Sequence, residues 1–324
     1  MGGSAMSLGF GNTAVCLFVY NRPNHTRQVL EGLARNRIPH LYVFHDALKA
    51  GHDPAPHREV ASLIAGISFC QVTIETSAAN RGVDRSIVAG VNRVLEKNDA
   101  VIVLEDDCVP SSTFTDYILF CLNQFEGDPS VFSISGYGMK SLEKAGTSDA
   151  YFSPLPSSWG WATWKDRWSK YDPQNQDWKK ILKDKKEKAR FDLPGNLFSN
   201  LLTRQSRGEI EVWDILWYAT HFQYGGTAIW PVKSKIKNIG MDGSGVHCVV
   251  NDKIDVVLSD DFDAQNFHFP TDRSFTPELK AAFHQVYQHP DLSILERVER
   301  LAKNPSLWPE IPLKLFTRLK KKLT

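Results

Sequence analysis

Four short runs in the first 105 residues constrain this chain most, because each is β-rich and each stops abruptly at polar residues. Thr13–Tyr20 (TAVCLFVY), Leu41–Phe44 (LYVF) and Ala100–Leu104 (AVIVL) are almost continuously apolar, while Gln71–Glu75 (QVTIE) alternates. Apolar runs of this length read as buried strands. Between them, Thr26–Asn36 carries Val29, Leu30 and Leu33 at helical spacing, and Arg58–Gly66 predicts a short helix. Arg85–Lys97 sets Ile87, Val88, Val91, Val94 and Leu95 on one helical face. Strands apolar on both faces, alternating with helices, predict an α/β fold with a parallel sheet covered on both sides. Ligands of such open sheets bind beyond the carboxyl ends of the strands. Asn21, Arg22, Asp46, Glu105, Asp106 and Asp107 all stand at such ends, so one crevice is expected to gather them.

The second half reads less regularly. Ser112 is placed to cap a helix through Phe125, Val131–Ser135 reads as a strand, and 138–150 as a loop. Trp178–Arg190 predicts one strongly basic helix, and Glu209–Phe222 another. Gly225–Pro231 and Ser244–Val250 read as short strands or loops, and Pro277–Gln288 as a helix.

Composition excludes several classes. Of 324 residues, 42% are hydrophobic and 23% charged, an ordinary globular balance. The net charge of +1 gives no global field for nucleic acid. Five cysteines, with no CxxC spacing, argue for a reducing compartment and against a disulfide framework or a zinc site. No apolar run approaches the roughly 18 residues of a membrane span. Met1–Ser7 lacks the basic region of a signal peptide and reads as part of a disordered leader. The expected location is cytoplasmic.

The chemistry concentrates in a few places. Glu105-Asp106-Asp107 directly follows an apolar strand. Adjacent carboxylates repel in low dielectric unless a cation sits between them, and oxygen ligands suit Mg²⁺ or Mn²⁺. A polar strand end is the plainer reading. His247, in a Gly-rich stretch, is placed either to reach a metal or simply to line a loop. In Trp213-Asp214, helical spacing sets Asp214 beside Tyr218. Aromatic walls would desolvate this carboxylate and suit it to general-base work, although an acid early in a helix also balances the helix dipole. Trp159, Trp161, Trp164 and Trp168 form the densest aromatic cluster, suited to sugar C–H faces or to core packing.

The ordered set resembles the GT-A glycosyltransferases. The set runs from strand–Asn21-Arg22 and strand–Asp46 through Asn80-Arg81-Gly82 with Arg85 to Leu104-Glu105-Asp106-Asp107. Trp159-Gly160-Trp161, Trp213-Asp214 and His247 complete it. The layout is most similar to the inverting N-acetylglucosaminyltransferase I group and bacterial sugar transferases. The resemblance implies a Rossmann-like, mixed but mostly parallel sheet flanked by helices. It gives Asp46 to the nucleobase, and Asn21, Arg22, Arg81 and Arg85 to the nucleotide. Glu105 and Asp106 fall to ribose and metal-bound water, and Asp107 to Mn²⁺ or Mg²⁺, with His247 as a further metal or pyrophosphate contact. Trp159, Trp161 and Trp213 are assigned to the acceptor, and Asp214 becomes the catalytic base. Where the family has a second Asp, Ile215 stands here.

The implied organisation is a leader (1–12), a nucleotide-sugar-binding half (13–137), an acceptor half (138–260) and a helical extension (261–324). The implied activity is metal-dependent, inverting transfer from a nucleotide sugar, UDP favoured, to a glycan or lipid-linked glycan. A sugar-nucleotide nucleotidyltransferase, or a non-catalytic glycan-binding protein on this fold, are the alternatives. In 311–324, Lys314, Arg318 and Lys320–Lys322 accompany Leu315, Phe316, Leu319 and Leu323, the pattern of a helix lying on an anionic membrane surface. That suggests peripheral attachment at the inner membrane face, with a frayed basic tail as the alternative.

Overall fold

The computed structural model describes residues 10–142, 148–242 and 254–288. Its first part follows the predicted alternation: β1 (Thr13–Val19), α1 (Pro23–Ala34), β2 (His40–His45), α2 (Pro54–Ala65), β3 (Gln71–Thr76), α3 (Val83–Leu95) and β4 (Ala100–Glu105). Then come β5 (Cys108–Pro110), α4 (Phe114–Phe125), β6 (Val131–Ser135), β7 (Ala150–Ser153), β8 (Trp161–Trp164) and α5 (Lys165–Trp168). The chain continues with α6 (Lys179–Lys183), α7 (Lys185–Phe191), α8 (Leu197–Ser206), α9 (Trp213–Tyr224), β9 (Thr227–Pro231), β10 (Ile236–Asn238) and α10 (Pro277–Tyr287).

Eight strands form one mixed, mostly parallel sheet in the order β3-β2-β1-β4-β8-β6-β9-β7. β1 lies parallel to both β2 and β4, β2 to β3, and β6 to β9. β8 is antiparallel to β4 and β6, and β7 closes the edge antiparallel to β9. The chain builds β1, β2 and β3 outward in one direction, then returns to lay β4 on the other side of β1. Strand order therefore reverses between β1 and β4, and at such a reversal the connections leave to opposite faces and open a crevice.

Burial on both faces explains the uniform apolar runs. Val15, Leu17 and Val19 of β1, with Ile102 and Leu104 of β4, pack under α1, α2 and α4. Ala14, Cys16 and Phe18, with Val101 and Val103, face α3 and the tryptophan group. A third cluster joins β9 and part of β7 to α8, α9 and α10.

Several elements differ from expectation. β8 is a strand inside the aromatic segment, and β7 begins at the end of the expected loop. The basic segment is broken at Asp184, whose carboxylate accepts the Lys186 N–H at 2.7 Å and caps a new helix, α7. α9 starts at Trp213, not Glu209, because Val212 is extended. Ser112 caps nothing in α4; its hydroxyl donates to Asp260 at 2.7 Å. The leader through residue 9, Ser244–Val250 with His247, and the basic tail 311–324 lie outside the described residues.

Candidate active site

The ends of β1 and β4 meet at the strand reversal. Arg22 sits three residues past β1, held in a non-helical conformation before Pro23 opens α1. Its Nη2 donates to Asp106 Oδ1 and, at 2.9 Å, to Asp107 Oδ2. Asn21 stands half-buried beside it. Burial pulls the Arg22 pKa down, but the Asp106 and Asp107 charges more than offset this and fix the guanidinium as a cation. Burial first, then the charges of Asp107 and Asp106, push the Glu105 pKa well up; Arg22 opposes this, and the Asp214 charge adds to it. Asp106 is also raised, by burial, with Arg22 opposing. Three carboxylates against one guanidinium leave the cluster short of positive charge.

A second sheet closes one wall. β10 pairs antiparallel with β5, so the segment after β10 runs back over the acidic residues. Ile239 N–H donates to the Asp107 carbonyl at 2.9 Å, and Asn238 Nδ2 lies 3.4 Å from Asp107 Oδ1. Gly240 packs tightly on the cluster: a Cβ there would stand 2.2 Å from Asp107 Oδ2 and would push that carboxylate aside. His25 Nε2 reaches Asp242 Oδ2 at 3.1 Å. Among these, Gly240 alone left a trace in the sequence, as one glycine among several.

Among the described residues no three His, Cys, Asp or Glu side chains converge into a metal cage. The donor chemistry nonetheless fits Mg²⁺ or Mn²⁺ bound in the open manner these ions prefer, through one or two carboxylates with water and phosphate oxygens completing the shell. Asp107, with Asp106 beside it, offers such oxygens, and the unbalanced negative charge favours a cation there.

Asp46, expected at the nucleobase, holds the neighbouring backbone. Its carboxylate accepts the Ala47 N–H at 3.0 Å, the Asn80 amide at 2.9 Å, the Arg81 N–H at 3.0 Å and the Gly82 N–H at 2.9 Å. A carboxylate has about four lone-pair sites. Asp46 therefore anchors the 80–82 loop beside the crevice, while the Arg81 side chain is exposed. Gly82, at φ +80°, makes the left-handed turn into α3.

α3 in turn holds α9. Asp84 Oδ1 accepts the Trp213 N–H at 2.8 Å, and Arg85 makes a two-pronged pair with Glu211 at 2.8 and 2.7 Å. Arg85, expected at the nucleotide, is thus an exposed strut between the two helices. Asp214 follows in the first turn of α9, half-buried, close enough for its charge to act on Glu105, Tyr171 and Tyr287.

The tryptophans divide. Trp161 is 0% exposed and stacks on Trp213, itself 6% exposed, at 5.1 Å between ring centres. A sugar platform needs an open ring face, so Trp161 is core material instead, and Trp213 offers little more. Trp159 is only partly buried, edge-on to Tyr137 at 4.8 Å, and keeps part of its surface exposed.

No family model and no curated protein matches this chain. Across about half of its length the chain is similar to the solved structure of the mannosyltransferase PcManGT from Pyrobaculum calidifontis in complex with GDP-Man and Mn²⁺. The identity is 15% and the TM-score 0.34, covering 49% of this chain and 46% of that one. It is similar at the same score to S. aureus TarS, at 14% identity over 50% of this chain and 30% of that one. A 4-diphosphocytidyl-2C-methyl-D-erythritolsynthase from Anaerococcus prevotii DSM 20548 shares 7% identity at TM-score 0.32, covering 54% and 77%. The chain spans less than half the length of the first two. Likeness at this level describes part of a sheet and carries no argument about chemistry.

Proposed function

We propose that this chain is a GT-A-type glycosyltransferase that moves a sugar from a nucleotide donor to an acceptor hydroxyl. One observation carries the reading: at the strand reversal, Arg22 pins Asp106 and Asp107 beside Glu105, and the charge of Asp214, on α9, acts on Glu105 as well. A carboxylate cluster suited to a cation and a separate carboxylate suited to a general base are the two parts such a transfer needs. The order of motifs, similar to that of the N-acetylglucosaminyltransferase I group, supports a UDP-sugar and inversion at the anomeric carbon.

The residues divide the work. Arg22, held by Asp106 and Asp107, meets the diphosphate with a fixed positive charge. The 80–82 loop, anchored by Asp46, lines the nucleotide side, with Glu105 toward the ribose. Asp107 and Asp106, with His247 as a further contact, would hold Mg²⁺ or Mn²⁺, which would supply charge neutralisation to the departing diphosphate. Asp214 accepts the proton of the attacking hydroxyl, for which it must come within about 3 Å of that oxygen. Trp159 faces the acceptor, a glycan or lipid-linked glycan. No helix of the described residues is long and apolar enough to cross a membrane; attachment through 311–324 to an anionic surface belongs to the same proposal.

The test is product analysis. Incubation with UDP-, GDP-, dTDP- and CMP-sugars, Mn²⁺ and a panel of glycan acceptors should release one nucleoside diphosphate in step with a new glycoside of inverted configuration. Release of the diphosphate without any glycoside, or a retained anomer, would overturn the transfer or the inverting reading respectively.

A further inference from the structure

A cavity of about 290 Å³ opens where β9 ends, at the same end of the sheet as the acidic triad but beyond β8 and β6. Lys235, on its wall, is 2% exposed. Its ammonium donates to the carbonyls of Ser259, at 3.1 Å, and Asp261. An ammonium carries three N–H donors; no oxygen of a described residue takes the third, and the ammonium stands 6.0 Å from the centre of the Phe262 ring. Burial pulls its pKa down to about 8, partly opposed by Asp261. A buried ammonium on the wall of a cavity, with one N–H not given to an oxygen of the chain, can donate it to an oxygen from outside.

The remaining walls define what carries that oxygen. Lys233 pairs with Asp261 at 2.6 Å, Asp263 accepts the Asn266 amide at 2.6 Å, and Asp149 accepts the His268 N–H at 2.9 Å. A phosphate or other anion would meet three carboxylates there. A cation would meet two ammonium groups. An apolar ligand would leave the Lys235 donor stranded. A neutral, hydroxyl-rich ring supplies both acceptors and donors, and its C–H faces suit Phe262 and Phe267, which also line the cavity. The volume is at the small end of ligand sites, nearer one ring than an extended chain.

The position matters as much. Lys235 immediately precedes β10, and four residues on, Ile239 is bonded to Asp107. Four strand residues span about 13 Å. That separation exceeds one sugar ring and matches a short oligosaccharide lying along that end of the sheet.

We propose that the cavity is a glycan subsite that takes a neutral sugar ring of the acceptor, remote from the ring that receives the transferred sugar. The assignment to the acceptor rests on the transferase reading; sugar binding itself does not. The test is saturation-transfer NMR on the full chain with glucose, galactose and N-acetylglucosamine, with glucuronate and inorganic phosphate as charged probes. The variants are Lys235→Met, which keeps the aliphatic stem but removes the donor, and Lys233→Ala on the exposed rim. A neutral sugar should give signals in the unmodified chain and in Asp214→Asn, and at least fivefold weaker signals in both cavity variants of unchanged melting temperature. Signals that persist in Lys233→Ala, no signal with any neutral sugar, or preference for glucuronate or phosphate would each overturn the subsite. Nucleotide-sugar binding, measured on the same samples, separates the two claims. Its loss with sugar binding retained counts against the transferase reading alone, and the reverse against the subsite alone.

Discussion

Asp84, in the first turn of α3, accepts the backbone N–H of Trp213, the first residue of α9, at 2.8 Å. The first N–H groups of a helix have no partner within it, and Val212, at the N-cap of α9, supplies no side-chain bond. A residue 129 positions away therefore does the capping. The same α3 begins at the loop anchored by Asp46. A continuous path of hydrogen bonds and one rigid helix thus runs from the end of β2 to the turn that carries Asp214. The neighbouring Arg85–Glu211 pair is exposed and adds little, as surface ion pairs do.

Asp84→Ala should lower stability by about 0.5–2 kcal/mol, the usual cost of a lost helix cap. It should reduce kcat more than it reduces donor affinity, because the damage falls on the position of Asp214. Asp84→Asn keeps an acceptor oxygen and should recover most of both. Melting curves and steady-state kinetics on the two variants check this; equal behaviour of Ala and Asn would count against the cap.

Asp214→Asn preserves size and removes the proposed base. Transfer should fall below detection, while calorimetric titration finds donor binding within about twofold of the unmodified chain. Loss of donor binding in this variant would place Asp214 on the nucleotide instead.

Arg22 holds two carboxylates at once, a geometry the point charge of lysine does not reproduce. Arg22→Lys should therefore fail to restore what Arg22→Ala loses. Donor affinity should drop at least tenfold in both, or about 1.4 kcal/mol. Unchanged affinity in Arg22→Ala would remove Arg22 from the diphosphate.

His221 lies fully buried on α9, its Nε2 3.3 Å from the Ser133 hydroxyl, and burial lowers its pKa from 6.5 to about 3. Above pH 6.5 it is neutral whether folded or unfolded and has no effect on pH dependence. Between pH 6.5 and 3 the unfolded chain takes up a proton that the folded chain refuses, so stability falls as pH falls, by up to about 1.4 kcal/mol per unit. Denaturant titrations from pH 7 to 4 should show this slope, flattened in His221→Gln.

Much of the first half was legible because strands buried on both faces must be apolar throughout. TAVCLFVY and AVIVL allow little else, and their ends carried Arg22 and the triad to one place. The second half obeyed other constraints. WATW became β8 because β4 and β6 offer it two edges at once, which no local pattern reveals. The hydrophobic density of the same stretch suited a ligand platform equally well, and full burial of Trp161 decided for core. Asp46 was recognisable as a crevice residue, but its commitment to the 80–82 backbone depends on a fold-back of more than thirty residues. Asp84 and Gly240 act across gaps that sequence spacing does not encode, and Arg85 was drawn to Glu211 by the same approach of two helices.

The central claim, that Arg22 and the acidic triad form a nucleotide-sugar site, is tested most directly by melting temperature. The unmodified chain, Arg22→Ala and Asp107→Asn would be measured with UDP-, GDP-, dTDP- and CMP-sugars, each with Mn²⁺ and with EDTA. A ligand that binds only the folded state raises its melting temperature by mass action. The account predicts a rise with one nucleotide class, dependent on Mn²⁺ and lost in both variants. No rise with any nucleotide in a folded sample, or a rise indifferent to Arg22 and Asp107, would contradict it.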